Sequence, residues 1–206
     1  MFLRRHGLDD SAGSVSKITR SINVDTMEQI VKFTAANGEE ISLRPASPED
    51  AAEILSTVKS TSLERSYVLM EQYGRDAQSE RQFISSIDLD HNLLLVAVAR
   101  GKVIGSLAAL QADGGQIPQT AHIATVGLHL KEAYRGLGIG SRMLRYAVEW
   151  AQEHGFKKLV ADIFTTNKRS LNLFRRAGFV EEGVKVKHVR MGKDYIDEVS
   201  LGKLLE

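Results

Sequence analysis

No cysteine occurs in the 206 residues of this chain. That absence excludes a disulfide framework, a thiolate-ligated zinc and a cysteine nucleophile, and it makes the cytoplasm the default compartment. Net charge is lacking as well: 27 basic residues face 26 acidic ones, a formal +1. Such a balance leaves no electrostatic footprint for nucleic acid or an anionic membrane, so a small or local ligand is expected instead. Long apolar runs are also missing. None approaches the roughly 18 residues of a membrane span, and Met1 to Arg20 carries basic residues without a continuous apolar stretch. These features predict a soluble, unprocessed, cytoplasmic protein. What is present is ordinary for a globular core: 43% of the residues are hydrophobic, and the length suits one domain with an appendage.

Residues 1–37 are polar and mixed, with Gly7, Gly13 and scattered serines. They are expected to form an N-terminal appendage, either an arm, for instance across the second subunit of a homodimer, or a partly disordered segment. Within them Val24 to Phe33 suits a short helix or strand. Asn37–Gly38 signals a turn, so the domain proper is expected over 38–206. Ile41 to Arg44 reads as a strand ended by Pro45, and Ser47–Pro48–Glu49–Asp50 opens a helix to about Lys59. Further helices are expected over 62–73 and 76–87. Leu93 to Ala99 and Val103 to Gln111 form a hairpin around Arg100–Gly101–Lys102. His122 to Leu130 is a strand. The helix after it buries Met143, Leu144, Ala147, Val148 and Ala151 and stops at His154–Gly155. Lys158 to Phe164 is the next strand, Asn167 caps a helix to Ala177, and Val184 to Val189 pairs with Ile196 to Leu201. An antiparallel first half followed by a strand, crossover helix and parallel strand over 122–164 makes the fold class mixed α/β.

The chain concentrates its information between Leu128 and Leu144. An apolar strand ends there, Gly136, Gly138 and Gly140 follow at alternate positions, and an amphipathic helix begins without a break. Glycines let backbone N–H groups converge on an anion, and a helix N-terminus adds roughly half a positive charge, so this is a place to bind phosphate. A nucleotide P-loop is excluded because Gly140 is followed by Ser141–Arg142 rather than by lysine and a hydroxyl residue. A dinucleotide fingerprint fits poorly. Its third glycine position holds Ser141, and the motif lies late in the chain. A glycine-rich turn with no ligand stays open on spacing alone.

The neighbouring residues resemble the GNAT superfamily of N-acetyltransferases over about residues 41–203. Its first signature, Arg/Gln-x-x-Gly-x-Gly/Ala, is matched by Arg135-Gly136-Leu137-Gly138-Ile139-Gly140, with Leu128 and Leu130 on the strand before it. Its second signature is matched by Asn167, Ser170, Leu173, Phe174, Gly178 and Phe179. The resemblance implies a mostly antiparallel central sheet splayed between the fourth and fifth core strands and flanked by helices. It implies acetyl-coenzyme A as donor and no metal. The diphosphate would sit on the amides of Leu137 to Ser141, and the pantetheine arm would lie along the backbone of Leu128, His129 and Leu130. Asn167 would bond the same arm, with Ser170 and Phe174 beside it. Asn167 and Ser170 read equally well as a helix cap and a first-turn hydroxyl.

Acyl transfer to an amine needs a neutral nucleophile, a polarised thioester carbonyl and a proton for the departing thiolate. An amine of pKa about 10.4 is neutral at pH 7 in roughly one molecule in a few thousand, so deprotonation costs roughly 4–5 kcal/mol. The resemblance, to the ribosomal-protein alanine acetyltransferases in this segment, puts Asp162 where they carry a glutamate base. A strand carboxylate paired with a basic neighbour is the competing reading. His122 is a second candidate base. Phe174 stands where many members have the tyrosine that protonates the thiolate, so either the thiolate, of pKa about 8.5, departs with solvent help or another hydroxyl, Tyr195 or Tyr67, substitutes. Direct transfer in a ternary complex is expected to a primary amine of a small molecule or peptide, held by the early helices and the last hairpin. The mixed charges of Glu64, Arg65, Glu71, Lys185, His188 and Asp197 do not name that acceptor. A non-catalytic acyl-coenzyme A sensor or scaffold is the alternative, favoured by Phe174.

Overall fold

A computed structural model describes residues 19–22, 29–62 and 76–206. Among them nine strands form one sheet: β1 (Thr19–Ile22), β2 (Gln29–Thr34), β3 (Glu40–Pro45), β4 (Asn92–Ala99), β5 (Lys102–Gln111), β6 (Ile123–Leu130), β7 (Lys158–Phe164), β8 (Val180–Met191) and β9 (Asp194–Leu204). Their order across the sheet is β1-β2-β3-β4-β5-β6-β7-β9-β8. Every neighbouring pair is antiparallel except β6 and β7. The helices are α1 (Ala51–Ser62), α2 (Ala77–Ser85), α3 (Ile139–Glu153) and α4 (Lys168–Arg176).

The sheet is covered on both faces at its centre, which is why β4 reads as an unbroken apolar run. Leu94 and Val96 pack with Ala51, Ile54 and Val58 of α1 and Ile84 of α2. Leu93, Leu95 and Ala97 turn to the larger core with Met143, Leu144, Ala147 and Ala151 of α3. The α3 stripe follows helical spacing. Val148 is only half-buried, and Trp150 takes the inner position instead, its indole Nε1 donating to the Leu89 carbonyl at 3.0 Å. A 3₁₀ turn, Pro48–Asp50, leads into α1. Asp50 is buried there and receives Arg44 at 2.6 and 2.9 Å and the Ser47 N–H at 2.8 Å.

The strand, helix and parallel strand expected over 122–164 are β6, α3 and β7. Their parallel ladder is short: Ile123, Ala124 and Thr125 pair with Lys158, Leu159 and Val160. Beyond that point β6 keeps to β5 as far as Leu130 opposite Gly105, while β7 keeps to β9 as far as Phe164 opposite Glu198. The sheet therefore splays between β6 and β7, the fourth and fifth strands counted from β3.

Two features differ from the sequence reading. Strand β2 lies on the appendage side of the boundary expected at residue 38, yet it pairs with β3, and its Val31 and Phe33, with Ala35 just after it, lie in the main core. Three alternating apolar positions suffice once β3 supplies a ladder, and so short an alternation is a weak signal alone. The last hairpin is also longer than expected, with β8 beginning at Val180 and β9 ending at Leu204. β8 is an edge strand with register shifts, and its polar, exposed residues hide the alternation. The helix expected over 62–73, with Glu64, Arg65, Tyr67 and Glu71, falls outside the described residues beyond Ser62.

Candidate functional site

The splay opens a cleft of about 390 Å³ lined by Leu128, Leu130, Arg135, Gly136, Gly138, Gly140, Ser141, Asn167, Arg169, Ser170, Leu173 and Arg176. Each wall follows from the fold. After Thr125, β6 has no ladder partner on its β7 side among the described residues, and Leu128 and Leu130 face into the gap. The chain then crosses through a 3₁₀ turn, Glu132–Tyr134, into the glycine loop. The Arg135 Nε–H donates to the Leu130 carbonyl at 2.8 Å, closing this corner.

Gly136 and Gly138 have φ of +79° and +84°, the left-handed region that favours glycine, and Gly138 is the N-cap of α3. No side chain caps this helix, and no acidic residue stands in its first turn. The N–H groups at the start of a helix lack intrahelical acceptors. Here Gly138, Gly140 and Ser141 of that start line a cleft that also holds three arginines, an arrangement suited to an anion of more than one charge. Apolar Leu128, Leu130 and Leu173 line the rest, so the cleft is anionophilic at one end and apolar along its length.

Helix α4 forms the opposite wall. Asn167 caps it, its Oδ1 accepting the Ser170 N–H at 3.1 Å, and both residues also line the cleft. Thus the capping reading holds without displacing the lining one. Arg169, Leu173 and Arg176 complete the wall, and the sequence reading did not assign them to it. Their spacing of four and then three residues marks one helical face, a signal that was present but divided between charged and apolar residue types. Phe174 lies on the other face. It is 2% exposed and packs edge-on against Phe179, ring centres 5.0 Å apart, so it belongs to the core and not to the cleft lining.

Three other expected residues are not among those that line the cleft. Ile139 is buried, Leu137 packs on the core, and the His129 side chain projects from the other face of β6, where burial lowers its imidazole to about 4. His129 is neutral at pH 7. The three candidate catalytic side chains are not brought to the cleft either. His122 is exposed just before β6 and six residues from Leu128, about 20 Å at strand rise; its carbonyl accepts from Lys157 and Lys158. Tyr195 is exposed near the β8–β9 turn opposite Arg190.

Asp162 is clamped across three strands, accepting Lys185 Nζ of β8 at 2.7 Å and Ser200 Oγ of β9 at 2.6 Å. Partial burial raises its carboxyl, but the two hydrogen bonds and the Lys185 charge outweigh that and hold it below the ordinary carboxylate range. The paired-carboxylate reading is thus the one the geometry carries. Glu198 stands 3.5 Å from Lys185 and 3.6 Å from His188, extending the cluster along β9.

Residues 61–179, more than half of the chain, match the Acetyltransferase (GNAT) family. Over 61 residues the chain is 44% identical to YwnH of Bacillus subtilis, an alignment covering 30% of this chain and 37% of that protein. A crystal structure of an acetyltransferase of the GNAT family from Streptococcus pneumoniae is 27% identical, with a TM-score of 0.72, covering 81% of this chain and 99% of that one. A GNAT superfamily phosphinothricin acetyltransferase from Sinorhizobium meliloti, solved in complex with acetyl-coenzyme A, has a TM-score of 0.71 at 22% identity, covering 80% of this chain and 88% of that one. The splayed sheet, the glycine loop at the head of α3 and this match together place the chain in the acetyltransferase (GNAT) family.

Proposed function

We propose that this acetyltransferase moves the acetyl group of acetyl-coenzyme A directly to a primary amine of a small molecule or peptide within a ternary complex. The observation that supports it most is the meeting, in one cleft, of an uncapped α3 N-terminus with an unpaired β6 edge. Those are a diphosphate cradle and a template for an amide-bearing arm. In this reading the amides of Leu137 to Ser141 hold the diphosphate, the backbone of Leu128 to Leu130 aligns the pantetheine arm, and Arg135, Arg169 and Arg176 add positive charge at the phosphate end. The coenzyme supplies the thioester.

In the reaction the amine lone pair forms a bond to the thioester carbonyl carbon, the carbon–sulfur bond breaks, and the thiolate takes up a proton equivalent to the one the amine releases. Among the described residues the cleft lining offers the hydroxyls of Ser141 and Ser170 but no carboxylate, imidazole or phenol. The donor side thus binds and orients; it does not titrate. Asp162 is ionised across the neutral range because its carboxyl is already held low. Asp162→Asn is accordingly expected to leave the shape of the pH–rate profile unchanged across that range. Loss of an acid-limb inflection in the variant would make Asp162 the base.

The test of the function is coenzyme A thiol release with acetyl-coenzyme A and a panel of free L-amino acids, phosphinothricin, polyamines and peptides. Release that requires one class of amine, with intersecting double-reciprocal plots, is the expected result. Parallel plots would exclude the ternary complex. The cleft lining, which among the described residues has no carboxylate, imidazole or phenol to protonate a thiolate, favours a second reading, a non-catalytic acyl-coenzyme A sensor. Tight binding without release for every amine would establish that one instead.

A further inference from the structure

The glycine loop is held from behind by the strand and turn that precede the expected domain boundary. The Ala36 N–H donates to the Leu137 carbonyl at 3.3 Å. Ala36 is fixed by its own turn: the Ala35 N–H donates to the Glu39 carbonyl at 2.8 Å, the Gly38 N–H to the Ala35 carbonyl at 2.9 Å, and the Glu39 N–H to Asn37 Oδ1 at 3.2 Å. Three residues before Ala36, Phe33 is 5% exposed, and the Arg142 guanidinium of the first turn of α3 lies over its ring, 5.4 Å from the centroid. The segment thus touches the phosphate loop and the helix that follows it at two separate points.

The direction of the first contact matters. No cis peptide occurs among the described residues, and in a trans peptide the C=O and the N–H of one unit point in opposite directions. With the Leu137 oxygen drawn back to Ala36, the N–H of Gly138 in the same unit points forward, on the side where Gly138 lines the cleft. This unit turns over through ψ of Leu137 and φ of Gly138, and Gly138, at φ +84°, is free to take either sign of φ, so the loop itself opposes little a flip that would present a carbonyl to the ligand. A carbonyl facing a diphosphate would repel it.

We propose that the segment from Phe33 to Gly38 is a positioning element of the anion cradle, with the Ala36 N–H aiming the Gly138 amide at the ligand's diphosphate. The inference rests on the coenzyme reading of the cleft. It gives β2 a part in function that neither family signature contains, since both signatures lie between Arg135 and Phe179.

Coenzyme A titration of the full chain by calorimetry tests it, alongside acetyl-coenzyme A kinetics. Ala36→Pro removes the N–H but also restricts Ala35. Lactic acid placed at position 36 by nonsense suppression turns the amide into an ester; it removes the N–H, weakens the Ala35 carbonyl as acceptor for the Gly38 N–H and adds no ring, so it serves where the proline variant does not fold. The expected result is a rise of about 5- to 10-fold in the coenzyme A Kd and in the acetyl-coenzyme A KM, the equivalent of one net hydrogen bond, with the amine KM unchanged. Thr120→Ala removes a hydrogen bond outside both the segment and the cleft lining, Thr120 Oγ1 to Asp113 Oδ2 at 2.8 Å. It is expected to leave Kd unchanged. A wild-type Kd in the ester chain, or an equal loss of affinity in Thr120→Ala, would overturn the inference. Failure of the wild-type chain to bind coenzyme A would overturn the coenzyme reading instead, and the proposal with it.

Discussion

Gly138→Val is expected to weaken coenzyme A binding roughly 100-fold or more while leaving the protein folded. Gly138 has φ of +84°, and a side chain built there meets no atom within 4 Å, so the substitution is not opposed by packing. Its cost comes from the backbone. A β-branched residue in the left-handed region is strained by about 1–3 kcal/mol, and the loop relieves that strain by rotating away from the conformation that aims its amides. Losing two charge-assisted hydrogen bonds at about 1.5–3 kcal/mol each would reduce affinity by more than two orders of magnitude. Gly114→Val supplies the control: its φ is +60°, a side chain there also meets nothing within 4 Å, and it lies outside the cleft lining. Both variants should lose a similar few degrees of thermal midpoint, and only Gly138→Val should lose coenzyme. Equal Kd values for the two would mean that the glycine loop does not hold the diphosphate.

The loop was legible in the sequence because its signals are local. Three glycines at alternate positions, an apolar strand before them and an amphipathic helix after them are written within a few turns of chain, and the structure places them at the head of α3. The same holds for the β4–β5 hairpin around Arg100–Gly101 and for Asn167 as a helix cap. What could not be read depends on partners distant in the chain. Asp162 sits on the strand assigned to it, but its fate is decided by Lys185 and Ser200, 23 and 38 residues further on. Nothing near Asp162 announces that it will be clamped and ionised. Phe174 and Leu173 are adjacent in sequence, and which of them faces the cleft was set by the neighbours of α4: Phe179 draws the phenyl ring into the core, leaving Leu173 at the wall. Ala36 carries no side-chain chemistry at all. Its contribution is a backbone N–H, visible only once the turn between β2 and β3 is seen against Leu137.

Gly105→Val should produce the largest loss of stability, and it connects the packing of the sheet to the site. Gly105 is opposite Leu130 in the β5–β6 ladder. A Cβ there would stand 2.7 Å from the His129 carbonyl oxygen, 2.8 Å from Leu130 Cδ2 and 3.0 Å from Leu130 Cγ. The first of these is backbone, so no rotamer change relieves it, and β6 must move as a strand. Overpacking of this kind costs about 1–3 kcal/mol, and a forced backbone shift in a central strand belongs at or above the upper end. For a chain of this size about 3 kcal/mol lowers the thermal midpoint by roughly 6–12 °C. The strand that has to move is the one whose Leu128 and Leu130 line the cleft, so the surviving folded fraction should also show a raised acetyl-coenzyme A KM. A substitution in the central sheet that acted on stability alone would lower the midpoint and leave that KM at its wild-type value. The two readouts together decide whether the far side of β6 sets the width of the splay.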